Sequence, residues 1–274
     1  MDMIDAHTHV VSRDLERYPI APSIDEEQDW HRDHPVDAAT MLALAVAAGV
    51  SGVAFVQSLS CHGFDNRYVL DSARAFAGRS IAVGAAQVGA PDAAALVQRD
   101  VRERGMHGVR VLAPSADSPI DSDEMREVVG AAADCDIAVV VLAIARQMPT
   151  VPSLVAAFPH MTFVLDHCGF VDLGGGESFP RADALFALVP FDNVVLKVSS
   201  ITLQSTEHPH ALWQRLVTTF GAHRLLWGTD HPHTHHVAYD GLVDLARRTT
   251  TGLSDADRAQ VVAGTARRVW PAFG

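Results

Sequence analysis

The feature of this 274-residue chain that most narrows its fold is a pattern repeated eight times: a short apolar run, then a longer stretch with helical spacing. The runs cover 3–7, 52–57, 81–87, 108–113, 137–143, 162–167, 194–199 and 224–230, and Val and Ile recur in them. Near-continuous apolar strands of this length are what a parallel sheet needs when helices cover it. The helical stretches cover 38–48, 66–77, 93–104, 123–133, 152–158, 181–188, 211–220 and 237–248. Eight strand-then-helix units predict a closed (β/α)8 barrel of the TIM type, an α/β fold, as a single domain over residues 1–274. An open doubly wound sheet would instead place a Gly-rich phosphate turn after the first strand. None stands there, and Gly174 to Gly176 reads as a flexible connection after the sixth run. Two connections are unusually long, 12–36 after strand one and 169–180 after strand six. Both follow strands, so both are expected at the C-terminal face of the barrel, as walls or lids of a pocket.

Charge and cysteine usage bound the partners. The formal net charge of -12 disfavours nucleic acid and anionic membrane surfaces, while a local basic cluster could still hold a small anion. Cys61, Cys135 and Cys168 are too few, and odd in number, for a disulfide framework. The opening MDMIDAHTHV has neither the basic nor the apolar region of a signal peptide. The longest apolar candidate, 137–144, is of strand length rather than membrane length. The expectation is a soluble cytoplasmic protein acting on a small molecule, with no nucleic-acid or membrane partner; a homo-oligomer is left open.

Four strand ends carry ligand-type residues. His7 and His9 are two apart, so a strand turns both to one side. Among 15 histidines such a pair also arises by chance, as His233 and His235 illustrate, but the first pair closes an apolar strand. His167 ends the sixth run, where the alternative is a core histidine bonded to backbone. Asp230 ends the eighth, where a buried carboxylate is costly unless paired or bound to a cation; a strand cap on loop amides is the alternative. Together the four are expected to converge above the barrel as three imidazoles and a carboxylate, a set suited to zinc and related divalent ions.

Asp5, His7 and His9, the segment Leu165-Asp166-His167-Cys168-Gly169, the segment Leu196-Lys197-Val198-Ser199, and Trp227-Gly228-Thr229-Asp230-His231-Pro232 make the chain resemble the amidohydrolase superfamily. The lactonase branch is the most similar, and the resemblance runs to the terminal Gly264 to Trp270 segment. It implies that His7, His9, His167 and Asp230 occupy metal-ligand and catalytic positions, with Asp230 as general base toward water. Binuclear members also have a bridging carboxylated lysine or carboxylate after a middle strand, and a histidine ending strand five. Here those strands end near Arg110 and at Leu142-Ala143-Ile144, so one divalent ion, zinc foremost, or none is expected, with no organic cofactor. The branch usually has Trp after the strand-eight Asp. Here His231 follows, as a substrate contact, a metal ligand or a rim residue, the last being preferred.

Arg110 and Lys197 lie inside apolar strands, which is unusual for unpaired charges. Each either pairs with an interior acid, Asp166 or Asp5, or binds a substrate carboxylate or carbonyl; the two readings are balanced for Arg110, and structure is favoured for Lys197. Gln57, Gln87 and Ser199 are strand-end candidates for substrate hydroxyls. Cys168 beside His167 is not expected to form a nucleophilic dyad, since strand neighbours face opposite ways. The histidines at 208, 210 and 231–236 read as surface or loop residues. The leading expectation is a hydrolase adding water to a small polar ester, a lactone of a sugar acid or a dicarboxylate. The alternatives are a metal-dependent decarboxylase of an aromatic or unsaturated acid, and a catalytically silent binding protein.

Overall fold

The computed structural model describes residues 2–21 and 30–274. Eight strands, β1 (Ile4–Thr8), β2 (Gly52–Val56), β3 (Ser80–Ala85), β4 (Gly108–Leu112), β5 (Ala138–Leu142), β6 (Phe163–Leu165), β7 (Val194–Ser199) and β8 (Leu225–Gly228), pair in sequence order. Every adjacent pair is parallel. Beyond the last strand the sheet returns to its start: His9 N donates to His231 O at 2.8 Å, and Asp230 N to His7 O at 2.8 Å. This is the expected (β/α)8 barrel.

Helices cover the outside, and caps mark the ends of several of them. Asp37 accepts from Thr40 N at the start of Ala38–Ala47, and Ser122 from Met125 N at the start of Asp123–Ala133. Gly105, at φ 72°, ends Ala93–Arg104 in the left-handed conformation that glycine adopts without steric penalty. The stretch expected at 181–188 is only the single turn Asp183–Phe186. A further segment had no counterpart in the eightfold pattern: Asp255–Ala259, a π-helical turn Gln260–Gly264 and Thr265–Val269. It crosses the strand starts, where Trp270 and Phe273 pack with Ile4, Ala54, Ile81, Val140 and Leu226 from the barrel interior. A side chain at Gly52 would sit 2.9 Å from the Phe273 ring, so this end is tightly filled. The site must therefore lie at the other end.

The two long connections do follow β1 and β6. Within the first, residues 22–29 lie outside the described residues; the rest includes the helical turn Trp30–Asp33. Its first part is tied to the body by His62, whose Nδ1 lies 3.0 Å from Pro19 O and whose Nε2 accepts from Ser12 N at 3.3 Å. No helix among the described residues is long and apolar enough to cross a membrane.

The closing seam of the barrel is organised by Asp5. Its carboxylate accepts from His7 N (3.1 Å), Thr229 N (2.9 Å), Thr229 Oγ1 (2.6 Å) and Tyr239 OH (3.1 Å) with no exposure to solvent. Burial pushes this carboxyl up to about 6, against the pull of those four bonds. Asp5→Ala takes the acceptor from four donors, of which Thr229 Oγ1 keeps only a 3.5 Å contact to His7 O, and an unpaired buried donor costs about 1–3 kcal/mol. We expect a loss of at least about 3 kcal/mol in denaturant unfolding, and a smaller loss for Asp5→Asn, which retains one acceptor oxygen; an Asp5→Ala protein of unchanged stability would remove Asp5 from this role.

Candidate active site

The strand-end residues meet at the C-terminal mouth. His7 lies in β1 and His9 one residue beyond it. Their Nε2 atoms are 3.2 Å apart, and each is close to Asp230 Oδ1, at 3.2 Å for His7 and 3.0 Å for His9. His167 and Asp230 were expected inside strands. They stand instead in turns past shorter strands, with left-handed backbones at φ 52° and φ 62°. The turn after β6 keeps His167, Cys168, Gly169 and Phe170 all at positive φ. Such residues are sterically unfavourable without glycine and persist where surrounding packing holds them. A Cβ on Gly169 would come within 2.2 Å of Met148 Sδ, so this turn has no room to vary.

Hydrogen bonds fix the imidazoles. His9 Nδ1 is 2.8 Å from Val56 O; only a donor suits a carbonyl oxygen, so Nδ1 carries a proton and Nε2 faces Asp230. His167 Nδ1 is 2.7 Å from Ser199 Oγ, which also caps the helical turn Ser200–Gln204. His7 Nδ1 lies 3.0 Å from Lys197 Nζ and 3.4 Å from Asp166 Oδ1. Burial drives His7 well below its ordinary value, with Lys197 adding to the effect, and burial brings His167 down to about 4. Burial opposes ionisation of Asp230, yet His167, His233, His9 and His7 around it outweigh burial and hold it well below the carboxylate range.

Behind this cluster is a buried charge network. Asp166 Oδ1 lies 2.7 Å from Lys197 Nζ, and Arg110 Nε donates to Asp166 Oδ2 at 2.9 Å. Asp166 and Lys197 have no exposed side-chain surface. Burial disfavours the Asp166 anion, but Lys197, His7 and Arg110 together hold it well below its ordinary value. Arg110 pairs with Asp166, as its structural reading expects, and it also lines the cavity. Lys197 follows its structural reading.

The mouth opens into a cavity of about 310 Å³. His9, Arg110, His167, Asp230 and His233 form its polar side, with Ser58 and Ser60. Trp30, Leu59, Leu142, Ile144, Phe170 and Ile201 form its apolar side. Gln57 does not line it: its amide donates to Gly63 O at 2.7 Å and Asp65 O at 3.2 Å, pinning the connection after β2. Ser199 orients His167 from behind, and Gln87 lies on the surface. His231 is 7% exposed and packs edge-on against Tyr239, neither in the cavity wall nor on an exposed rim. Cys168 is fully buried with its thiol directed at Lys197 O, away from His167 chemistry.

His233 was grouped in sequence with incidental loop histidines, and the structure corrects this. Its Nδ1 is 3.1 Å from Asp230 Oδ2, and that bond raises its pKa. The one sequence signal is its place three residues after Asp230, close enough for a turn to fold it back. Trp30 was also missed; its ring lies 5.9 Å from both His9 and His233.

The residues present fit a single metal ion. His7, His9 and Asp230 each offer one buried ligand atom in one group, with separations of 3.0–3.2 Å. A tetrahedral ion with bonds of about 2.0–2.1 Å separates its ligand atoms by roughly 3.3 Å. His9 Nε2 and Asp230 Oδ1, 3.0 Å apart, can share a proton or ligate one cation between them. His167 is not part of this triangle; it groups with His7 and Asp166, whose oxygens already face Lys197 and Arg110.

The amidohydrolase family profile matches residues 4–272. An L-fucono-1,5-lactonase from Burkholderia ambifaria is 30% identical over 240 residues, covering 84% of this chain and 80% of that one. A 2-pyrone-4,6-dicarboxylate hydrolase from Comamonas testosteroni is 30% identical over 259 residues, covering 88% and 81%. A crystal structure of an amidohydrolase from Burkholderia multivorans with bound zinc superposes with a TM-score of 0.76, at 24% identity and 99% coverage of each chain.

Lys197 and Arg146 separate a buried ion pair from an exposed one. Lys197→Met leaves Asp166 fully buried with one cation fewer, and should cost about 3–5 kcal/mol. Arg146→Ala, which breaks a pair with Asp117 whose side chains are 61% and 86% exposed, should cost less than about 1 kcal/mol. Equal losses in chemical denaturation would count against the hub described here.

Proposed function

Because this chain belongs to the amidohydrolase family, we propose that it opens small lactones by adding water to the ring carbonyl. The observation that carries this reading is the Asp230 carboxyl group set among His7, His9 and His167 at the mouth of a cavity large enough for one small ring. Asp230 Oδ2 is held by His233, and Oδ1 faces His7 and His9. In the proposed step the water oxygen bonds to the acyl carbon while Asp230 takes its proton. The ring C–O bond then breaks, and that proton passes to the leaving alkoxide oxygen. His167, fixed through Nδ1 by Ser199, presents its remaining nitrogen to the carbonyl oxygen, and the Arg110 groups not bonded to Asp166 stabilise the developing negative charge. His7, His9 and Asp230 would hold one divalent ion, which when bound supplies Lewis-acid polarisation of a carbonyl. The two relatives, named for a fuconolactone and for a pyrone dicarboxylate, support a lactone substrate, and the Burkholderia multivorans amidohydrolase supports zinc.

Two experiments test this. On a lactone panel, Asp230→Asn keeps the side-chain shape but loses the basic oxygen, and should lower kcat at least about a hundredfold. Arg110→Met should raise KM. Near-full turnover by Asp230→Asn would reject Asp230 as the base, and turnover of aromatic acids with none of lactones would replace the reaction by decarboxylation. For the metal, protein equilibrated with zinc and then desalted should retain no more than one equivalent, lost in His9→Ala and kept in His235→Ala. Two equivalents that both vanish with His9→Ala would show a binuclear centre instead.

A further inference from the structure

The two oxygens of Asp230 are not equivalent. Oδ1 stands 3.2 Å from His7 Nε2 and 3.0 Å from His9 Nε2. Oδ2 has one hydrogen-bond partner among the described residues, His233 Nδ1 at 3.1 Å. Rotation of a carboxylate about its terminal sp3–sp2 bond meets only broad wells, so the plane has little torsional preference of its own. Its orientation is set by what its oxygens touch.

The backbone makes His233 a fixed partner. Asp230 leaves β8 at φ 62°, and Thr234 N donates back to Asp230 O at 3.2 Å, closing a turn around the residues between. Thr234, 1% exposed, donates its hydroxyl to Thr229 O at 3.2 Å, and His231 N donates to Thr229 Oγ1 at 3.1 Å. The chain is thus pinned on both sides of His233. The neighbouring connection holds the ring as well. Trp30 meets it edge-on, with centroids 5.9 Å apart and planes at 79°. His34, whose N donates to Trp30 O at 2.8 Å, stacks on His235 at 4.1 Å and 15°. The Trp30 ring is also 5.9 Å from His9, so one indole packs near the histidine at each Asp230 oxygen.

We infer that His233, buttressed by Trp30, is a positioning residue for Asp230, which the lactonase reading above takes as the base. By donating to Oδ2 it turns the carboxylate plane so that Oδ1 alone faces His7 and His9, where the proposed step takes up a proton. Asp230 is 2% exposed, so without His233 its second oxygen would lack both a donor and free access to water. A buried acceptor in that state is costly, and rotation toward another donor relieves the cost. His233 acts in this way through Asp230, without contact with the substrate.

Asparagine and glutamine at position 233 separate placement from polarity. The Asn amide nitrogen is bonded to Cγ, as Nδ1 is, while the Gln amide lies one carbon further out, nearer the place of Nε2. On a lactone, His233→Gln should lower kcat at least about tenfold by misplacing the base, with KM little changed. His233→Asn should recover most of that loss, and His233→Leu, which has no donor, should match His233→Gln. The side chain is 34% exposed, so the variants should fold, with circular dichroism matching the parent. Crystal structures of the variants read the orientation without turnover. Oδ1 should keep its distances to His7 and His9 in His233→Asn and lose at least one of them in His233→Gln and His233→Leu. A carboxylate unmoved in both of the latter overturns the inference whatever the kinetics. So do equal losses of kcat in His233→Asn and His233→Gln, or a raised KM at unchanged kcat, which would make His233 a substrate contact. A wild type that opens no lactone would strike the lactonase reading alone, since the crystallographic comparison still decides what holds Asp230.

Discussion

Asp166 holds one ammonium, one guanidinium and one imidazole around a single carboxylate with no exposure to solvent. These partners come from β7, β4 and β1, so three strands of the barrel and the turn after β6 are tied together at one anion through side chains as well as through the sheet. A buried charge cluster of this kind is weak evidence for added stability, because desolvation offsets the attraction. Its effect is on position. If any member shifts, a charge is left uncompensated in a low-dielectric interior, and the penalty for that is large. The orientation of His7 and the direction of Arg110 are consequences of this cluster, and the cavity chemistry is built on both.

Asp5 does at the barrel seam what Asp166 does inside it, with neutral donors in place of cations. Its bonds to Thr229 and Tyr239 draw β1, the turn carrying Asp230 and the helix Tyr239–Thr249 together. The two carboxylates both contact His7, Asp5 at its backbone N and Asp166 near its Nδ1. His7 is thus positioned by acids that do not themselves line the cavity, an arrangement of supporting contacts that precise sites require.

The barrel was readable because Val139, Val140 and Val141, and their equivalents in other strands, are apolar on both faces, and only a covered parallel sheet uses strands of that kind. The convergence of His7, His9, His167 and Asp230 was readable for a related reason, since each closes an apolar run. The local conformation was not. Leu165-Asp166-His167 continues an apolar run in sequence, yet the backbone turns left-handed at His167, and no residue type there signals it. Asp230 departs from β8 in the same way, and that turn is what folds His233 back onto it. One loop histidine reads like another until the turn is known. Arg110 was balanced between two roles because strand position says that a charge is buried but not how many partners it reaches. The terminal segment 255–269 was missed because its function is to cover the strand starts, a task set by the closed barrel rather than by any repeat.

Because Trp270 and Phe273 stop the barrel at the strand starts, the cavity is closed on that side and opens toward the C-terminal mouth. A vessel closed at its base cannot admit the next molecule while the last still stands in its mouth. Under the proposed reaction, the opened acid and the closed ring would contend for that mouth, where Phe170 lines the cavity and is 40% exposed. In such a vessel traffic is sequential: the pace of departure sets a ceiling on throughput that no improvement at the reacting atoms can raise.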